Sequence, residues 1–272
     1  GLFTACGPSQ KALEGVTVQL GWTHSAEFVG FYVADQKGYY QEEGLTVTLV
    51  PGGPEIDPVQ AVSADRAQFG VTAGDSIVRA RVAGQDLIAV SAIFRYNPLV
   101  VMSLAKEGLQ KPWDLQGKSI GVVAPDLDST WDRQFLAMLA QLDIDPESMN
   151  FVTIENYYGA EALKSNRMEA ANGFFSTCEA VQAELNGDAV NLMFVSDYGV
   201  TVYPNAIFTR DTLIRQRPNW VEGFVRATLR GYMYAIEHPE EGAELVLKYD
   251  DNLDRTLQEE MMYAQVPFID TG

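Results

Sequence analysis

The sequence predicts an α/β protein of two similar lobes, each a mixed sheet flanked by helices, with a ligand cleft between them. Three observations predict it. Short strands rich in β-branched residues are separated by helical stretches, the pattern of parallel α/β sheets. The same succession of elements returns about a hundred residues further on. The last quarter then turns helical, as a chain returning to buttress its first lobe would.

The elements follow in order. A strand is expected over 16–22, a helix over 27–41, and a strand over 45–50 that stops at Pro51-Gly52-Gly53-Pro54. Next come a helix over 58–64, a strand over 68–72 and a helix running to Gly84. The apolar run 87–94 reads as a buried strand, and the polar, turn-rich 111–118 leads into the second lobe. There the programme repeats: strand 119–123, helix 130–142, strand 151–155, helix 160–165, strand 169–173 and a helix ending near Gly187. The exit lies at 200–204, and from Ala206 the pattern becomes helical, over 211–216, 220–237 and 239–248. Trp220, Phe224, Ala227, Gly231 and Tyr234 recur at helical spacing and give that segment an apolar stripe. The division expected is a tether at 1–14, a first lobe of 15–103 with 204–272, and a second lobe of 104–203. Two chain crossings permit hinge closure while limiting shear.

Composition narrows the partners. The chain has 272 residues, enough for two medium domains, and 47% hydrophobic residues, ordinary for a globular protein. Its 19 basic and 37 acidic side chains leave a formal charge of −18, which would repel a nucleic-acid backbone. The 2 cysteines, Cys6 and Cys178, have neither disulfide nor metal-ligand spacing. The opening Gly1-Leu2-Phe3-Thr4-Ala5-Cys6-Gly7 resembles the end of a bacterial lipoprotein signal, with Cys6 as the lipidated residue and Phe3 where leucine is usual. That reading anchors the protein outside the cytoplasmic membrane; the plainer one is an unstructured N-terminus.

In open α/β sheets ligands lie beyond the carboxyl ends of the strands. Applied to both lobes, that rule selects Trp22 and His24 after the first strand, and Asp75 after the third. Tyr96 and Asn97 follow the fourth. In the second lobe it selects Asp128, Tyr157, Phe174, Phe175 and Glu179. Aromatics at so many strand ends suit a slot for a flat ring, although each one could be ordinary packing between loop and lobe. Glu179 follows Ser176-Thr177-Cys178 in the first turn of a helix, where the dipole favours a carboxylate with or without a ligand. Asp75 and Asp128 are read as weaker versions of the same idea or as helix N-caps. A sulfonate could sit at a helix N-terminus, but acidic residues outnumber Arg95 at these strand ends.

The run Gly30-Phe31-Tyr32-Val33-Ala34-Asp35-Gln36-Lys37-Gly38-Tyr39-Tyr40-Gln41-Glu42-Glu43-Gly44-Leu45 carries a family resemblance. Pro51-Gly52-Gly53-Pro54, Leu115-Gln116-Gly117-Lys118 and the stretch from Gly231 to Glu241 add to it. From Val16 onward the chain resembles the periplasmic solute-binding proteins of ABC importers, in the branch binding the pyrimidine precursor of thiamine. Riboflavin, taurine and alkanesulfonate binders are relatives. The resemblance implies a type II periplasmic-binding-protein fold, a small aromatic heterocycle as ligand, a membrane permease as partner, a monomer and no cofactor. It implies an aromatic wall at Trp22 and a glutamate, at Glu179, pairing with a ring amino group. It also implies that relatives continue past the equivalent of 266–270. A pyrimidine-forming enzyme of the same fold is the rival from another class. Its cysteine-rich motif is absent here, where Ser176-Thr177-Cys178-Glu179 stands, and the 2 histidines, His24 and His238, make neither a metal pair nor a triad. No catalytic or metal residue is assigned.

Overall fold

The computed structural model describes residues 12–165 and 167–269, so Cys6 lies outside the described residues. The strands, in chain order, are β1 (Glu14–Gln19), β2 (Leu45–Val50), β3 (Phe69–Thr72), β4 (Leu87–Ala92), β5 (Leu99–Leu104), β6 (Ser119–Val122), β7 (Asn150–Thr153), β8 (Ala170–Phe175), β9 (Val190–Phe194) and β10 (Ala206–Arg210). They form two five-stranded sheets, ordered β2-β1-β3-β10-β4 and β7-β6-β8-β5-β9. Each sheet is parallel except for one strand next to an edge: β1 pairs parallel with β2 and β3, whereas β10 runs antiparallel to β3 and β4. In the second sheet β6 pairs parallel with β7 and β8, and β5 runs antiparallel to β8 and β9. The two sheets thus share one strand order, the structural form of the repeat seen in the sequence.

The helices are α1 (Val29–Gln36), α2 (Tyr39–Glu42), α3 (Pro58–Ser63), α4 (Gly74–Val82), α5 (Thr130–Gln141), α6 (Glu161–Lys164), α7 (Glu179–Leu185), α8 (Asp211–Gln216), α9 (Pro218–Glu237), α10 (Pro239–Val246) and α11 (Arg255–Gln265). The expected helix 27–41 is broken. A 3₁₀ turn covers Ala26–Phe28, and Gly38, at φ 76°, separates α1 from α2. The stripe of α9 packs as its spacing implied, with Phe224 stacked on Phe69 at 3.9 Å and on Tyr40 at 5.5 Å. The approach of α9 to α1 depends on two glycines. A Cβ on Gly231 would lie 2.0 Å from the Gly30 carbonyl oxygen, and one on Gly30 would meet the Tyr232 ring at 2.0 Å.

Two expectations need correction. Residues 206–210 are strand β10, not the start of helix; the short, largely apolar run Ala206-Ile207-Phe208-Thr209 is buried on both faces between β3 and β4. Strand β5 belongs to the second sheet, so the first crossing lies between β4 and Leu99, ahead of the expected boundary at 103. All six residues of β5 are buried, which erases the alternation that marks a strand in sequence. The two crossings run side by side, with Ile93 N–H donating to the Asn205 carbonyl at 2.9 Å.

Candidate ligand site between the lobes

The carboxyl ends of β1, β3, β6 and β8 face one another across a cleft of about 550 Å³, walled by both lobes. The first lobe contributes Trp22, Glu27, Thr72 and Ser76; the second contributes Val123, Ser129, Trp131, Phe175, Cys178 and Glu179. Trp22 follows β1 and holds the β2 loop through its carbonyl, which accepts Gly52 N–H at 2.8 Å. Its ring meets Tyr157 of the other lobe edge-on at 5.2 Å. Trp131, in the first turn of α5, meets Phe175 edge-on at 5.1 Å. These are the offset geometries aromatic quadrupoles favour. The Tyr157 hydroxyl is buried without a hydrogen-bond partner among the described residues.

The floor of the second lobe is set by Asp132, which is fully buried on α5. Its carboxylate accepts Val123 N–H at 3.0 Å, Ala124 N–H at 2.8 Å, Ser129 Oγ–H at 2.6 Å and Asn172 Nδ2–H at 3.1 Å. One acidic side chain therefore fixes the loop from β6 to α5, whose N-cap is Ser129. Gly173, at φ 87°, lies beneath it, where a Cβ would strike Val123 at 2.4 Å.

Two carboxyl groups enter the cleft from opposite sides. Glu179 begins α7, and its Oε2 accepts Phe175 N–H at 2.8 Å. Burial pushes this carboxyl up to about 7, against the opposing pull of the Phe175 amide. Glu27 sits in the 3₁₀ turn after β1 and accepts Asn205 Nδ2–H at Oε1, 2.8 Å. It too is pushed up to about 7, first by burial and then by the negative charge of Glu179, with Asn205 opposing. Cys178, beside both, has its thiol pushed well above the usual range by burial and by the two carboxylates. Among the described residues no group of three or more His, Cys, Asp or Glu is arranged to hold a metal ion.

A polar clasp joins the lobes at the cleft mouth. Asp75 in the first turn of α4 accepts Thr130 Oγ1–H at 2.7 Å and pairs with Arg133 at 3.4 Å, while Arg133 also donates to Ser76 at 3.2 Å. Asp128 pairs with Arg79 at 3.0 Å and with Arg133 at 3.3 Å.

The structure therefore brings together Trp22, Asp128, Phe175 and Glu179 along the cleft, with Tyr157 packed behind Trp22. Others fall elsewhere. Phe174 is fully buried in the second lobe, because neighbours on a strand point to opposite faces and Phe175 takes the cleft side. His24 turns into the first lobe, where Nδ1 lies 2.9 Å from the Tyr32 hydroxyl and burial lowers its pKa. Tyr96 and Asn97 lie at the hinge, around a separate hollow of about 220 Å³. Asn97 is consumed there, donating to Gln134 at 2.8 Å and accepting Leu99 N–H. Neither Asp75 nor Asp128 is an N-cap, since the caps of α4 and α5 are Ala73 and Ser129. Sequence reasoning missed Glu27, taken as the start of a helix, and Trp131, hidden in a helical run. The strand-end rule reaches Glu27 when extended past the turn after β1.

Two five-stranded α/β lobes, joined by paired crossings and closing on a polar and aromatic gap, have the architecture of periplasmic binding proteins. The chain belongs to the NMT1/THI5-like family, whose profile matches residues 25–242. It is 28% identical over 268 residues to the riboflavin-binding protein RibY of Chloroflexus aurantiacus, covering 96% of this chain and 74% of the relative. It is 25% identical over 259 residues to the formylaminopyrimidine-binding protein of Halalkalibacterium halodurans, covering 95% and 77%. It is 26% identical over 256 residues to the 4-amino-5-hydroxymethyl-2-methylpyrimidine phosphate synthase of Legionella pneumophila, covering 93% and 79%. In three dimensions it is similar to the alkanesulfonate-binding protein SsuA of Xanthomonas axonopodis pv. citri, solved with MOPS. That match has a TM-score of 0.71 at 14% identity, covering 93% of this chain and 85% of that one.

Proposed function

We propose that the protein is the solute-capturing component of an ABC importer, working outside the cytoplasmic membrane. Its ligand is a flat nitrogen heterocycle of the thiamine-precursor pyrimidine type. The observation that carries this reading is Glu179, a buried acceptor set among Trp22, Trp131 and Phe175 in a cleft walled by both lobes. A ring amino group beside a ring nitrogen matches such an acceptor, and a ligand without donors would leave it unsatisfied. The aromatic walls suit a planar ring, and the volume falls within the ordinary range for small-molecule sites. A ligand touching both lobes favours their closed arrangement by its differential affinity, and the closed shape is what a permease would read.

Sulfonate specificity fits the charges poorly. The lining holds Glu27, Glu55, Asp57, Asp126, Asp128 and Glu179 against Arg79 and Arg133, whose guanidinium groups are engaged by Asp128 and Asp75. The enzymatic reading lacks its nucleophile: among the described residues lining the cleft none is lysine or histidine, so the site does not fit pyridoxal phosphate held as a Schiff base. Riboflavin is a second reading, favoured by a cleft of about 550 Å³, roomier than one small ring needs.

The test is a thermal-shift and tryptophan-fluorescence titration with 4-amino-5-hydroxymethyl-2-methylpyrimidine, its formylamino analogue, riboflavin and taurine. The aminopyrimidines are expected to stabilise the protein and quench Trp22 or Trp131. Stabilisation by taurine alone would overturn the proposal, and by riboflavin alone would transfer it to the second reading.

A further inference from the structure

We propose that Glu27 and Glu179 act together as a two-lobe carboxylate clamp selecting a ligand that carries one positive charge and offers N–H donors on two edges, a protonated aminoheterocycle or amidine. The inference rests on the receptor reading above and deepens it from a flat heterocycle to a cationic one.

Glu27 is held in place from several sides. Four buried polar side chains from α9, α11 and the returning crossing converge on residues 26 and 27. Gln258 accepts Ala26 N–H at 2.7 Å, and Gln265 donates to the Ala26 carbonyl at 2.9 Å. The Tyr232 hydroxyl donates to the Glu27 carbonyl at 2.9 Å, and Asn205 donates to the Glu27 side chain at 2.8 Å. All four are within 3% of full burial. Buried polar groups need their partners, so this scaffold specifies one position for a short turn. What it presents to the gap is a carboxylate. Asn205 holds Oε1, no cation is bonded or ion-paired to Glu27 among the described contacts, and Glu179 opposes it from the other lobe.

The titratable and polar groups around the pair are Cys178 beside Glu179, Tyr157 on the second-lobe side, Tyr32 and Tyr232 on the first-lobe side, and the neutral Asn205. None supplies a positive charge. Two carboxylates sharing a low-dielectric gap cannot both ionise freely, so near neutral pH the pair retains a proton. A cationic ligand with donors on opposite edges replaces that proton and satisfies both acceptors. A neutral ligand leaves the proton in place and meets one acceptor only. Because Asn205 lies where the crossings pair, through Ile93 N–H to its carbonyl, the charge seen by Glu27 is registered beside the hinge.

A matched pair of probes tests this: benzamidine, cationic throughout the working range, and benzamide, its neutral counterpart of the same size. Titration calorimetry at pH 6.5 in two buffers of different ionisation enthalpy measures affinity and proton release together. Benzamidine is expected to bind at least about tenfold more tightly than benzamide and to release a proton, about one at most. Glu27→Gln and Glu179→Gln should each weaken benzamidine about tenfold or more, suppress the release and bring the benzamidine-to-benzamide affinity ratio down towards one. The wild-type release measurement stands even if a variant fails to fold. Benzamidine that fails to outbind benzamide, or binds without proton release, overturns the proposal. So does benzamidine that binds the wild type and Glu27→Gln equally, which leaves the receptor reading intact. Failure of every heterocycle and of benzamidine to bind removes both.

Discussion

Replacing Glu179 by glutamine removes a buried charge without removing the hydrogen-bond acceptor, and its effect on stability follows from the structure. In the folded protein this carboxyl is pushed up to about 7, whereas in an unfolded chain it titrates near its ordinary 4.5. Between those values the folded state binds more protons than the unfolded state, so wild-type stability falls as pH rises through the window. Its contribution is fully present below pH 4.5 and lost above about 7. The displacement corresponds to roughly 3 kcal/mol against the ionised form. Glutamine is neutral throughout and still accepts Phe175 N–H, and the charge assistance of that bond is already contained in the net displacement. The variant should thus be more stable than wild type by about 3 kcal/mol at pH 8, and equal within about 1 kcal/mol at pH 4.5. Urea denaturation of both proteins across that range provides the assay, read as the difference between the two curves. The difference matters because a chain of charge −18 has its own pH-dependent self-repulsion, common to both. A difference that stays flat or shrinks as pH rises refutes the assignment of Glu179 as a buried carboxyl ionising at a cost.

Other substitutions probe the frame around it. Trp22→Ala deletes the ring packed on Tyr157 and one wall of the cleft, and should weaken heterocycle binding about tenfold by fluorescence titration, with little change in fold by circular dichroism. Asp132→Ala strands the amides of Val123 and Ala124 and the side chains of Ser129 and Asn172, and should destabilise by about 3 kcal/mol or more in urea. Gly231→Ala places a Cβ 2.0 Å from the Gly30 carbonyl oxygen, between two helix backbones that cannot step aside; a loss of about 3 kcal/mol or more is expected, visible as a lowered Tm. Arg79→Ala breaks a pair whose side chains are 56% and 59% exposed, and should shift the Tm by less than about 2 °C.

Much of the fold was legible because local chemistry and tertiary structure agree. Strand β2 stops where Pro51-Gly52-Gly53-Pro54 stops it, α8 occupies the expected 211–216, and the stripe through Phe224 and Gly231 faces the first lobe. Where burial was complete on both faces, as in β5, alternation vanished and the lobe boundary was misplaced. At the site, strand ends were readable as a set, but orientation was not. Phe174 and Phe175 are alike in sequence, and one pleat sends the first into the core and the second to the cleft. His24 and Glu27 lie in the same connection between β1 and α1, and its path carries the glutamate to the gap and the histidine inward.

The repeated order of strands and helices, the acidic charge, the ring-bearing side chains at strand ends and the helix-starting Glu179 were written in the sequence, because each depends on neighbours a few residues away. The opposition of Glu27 to Glu179, the Asp75–Arg133 clasp and the edge-on contact of Trp22 with Tyr157 were decided only in three dimensions. They join residues from different lobes, and no local propensity encodes which side chains meet when two separately folded halves come together.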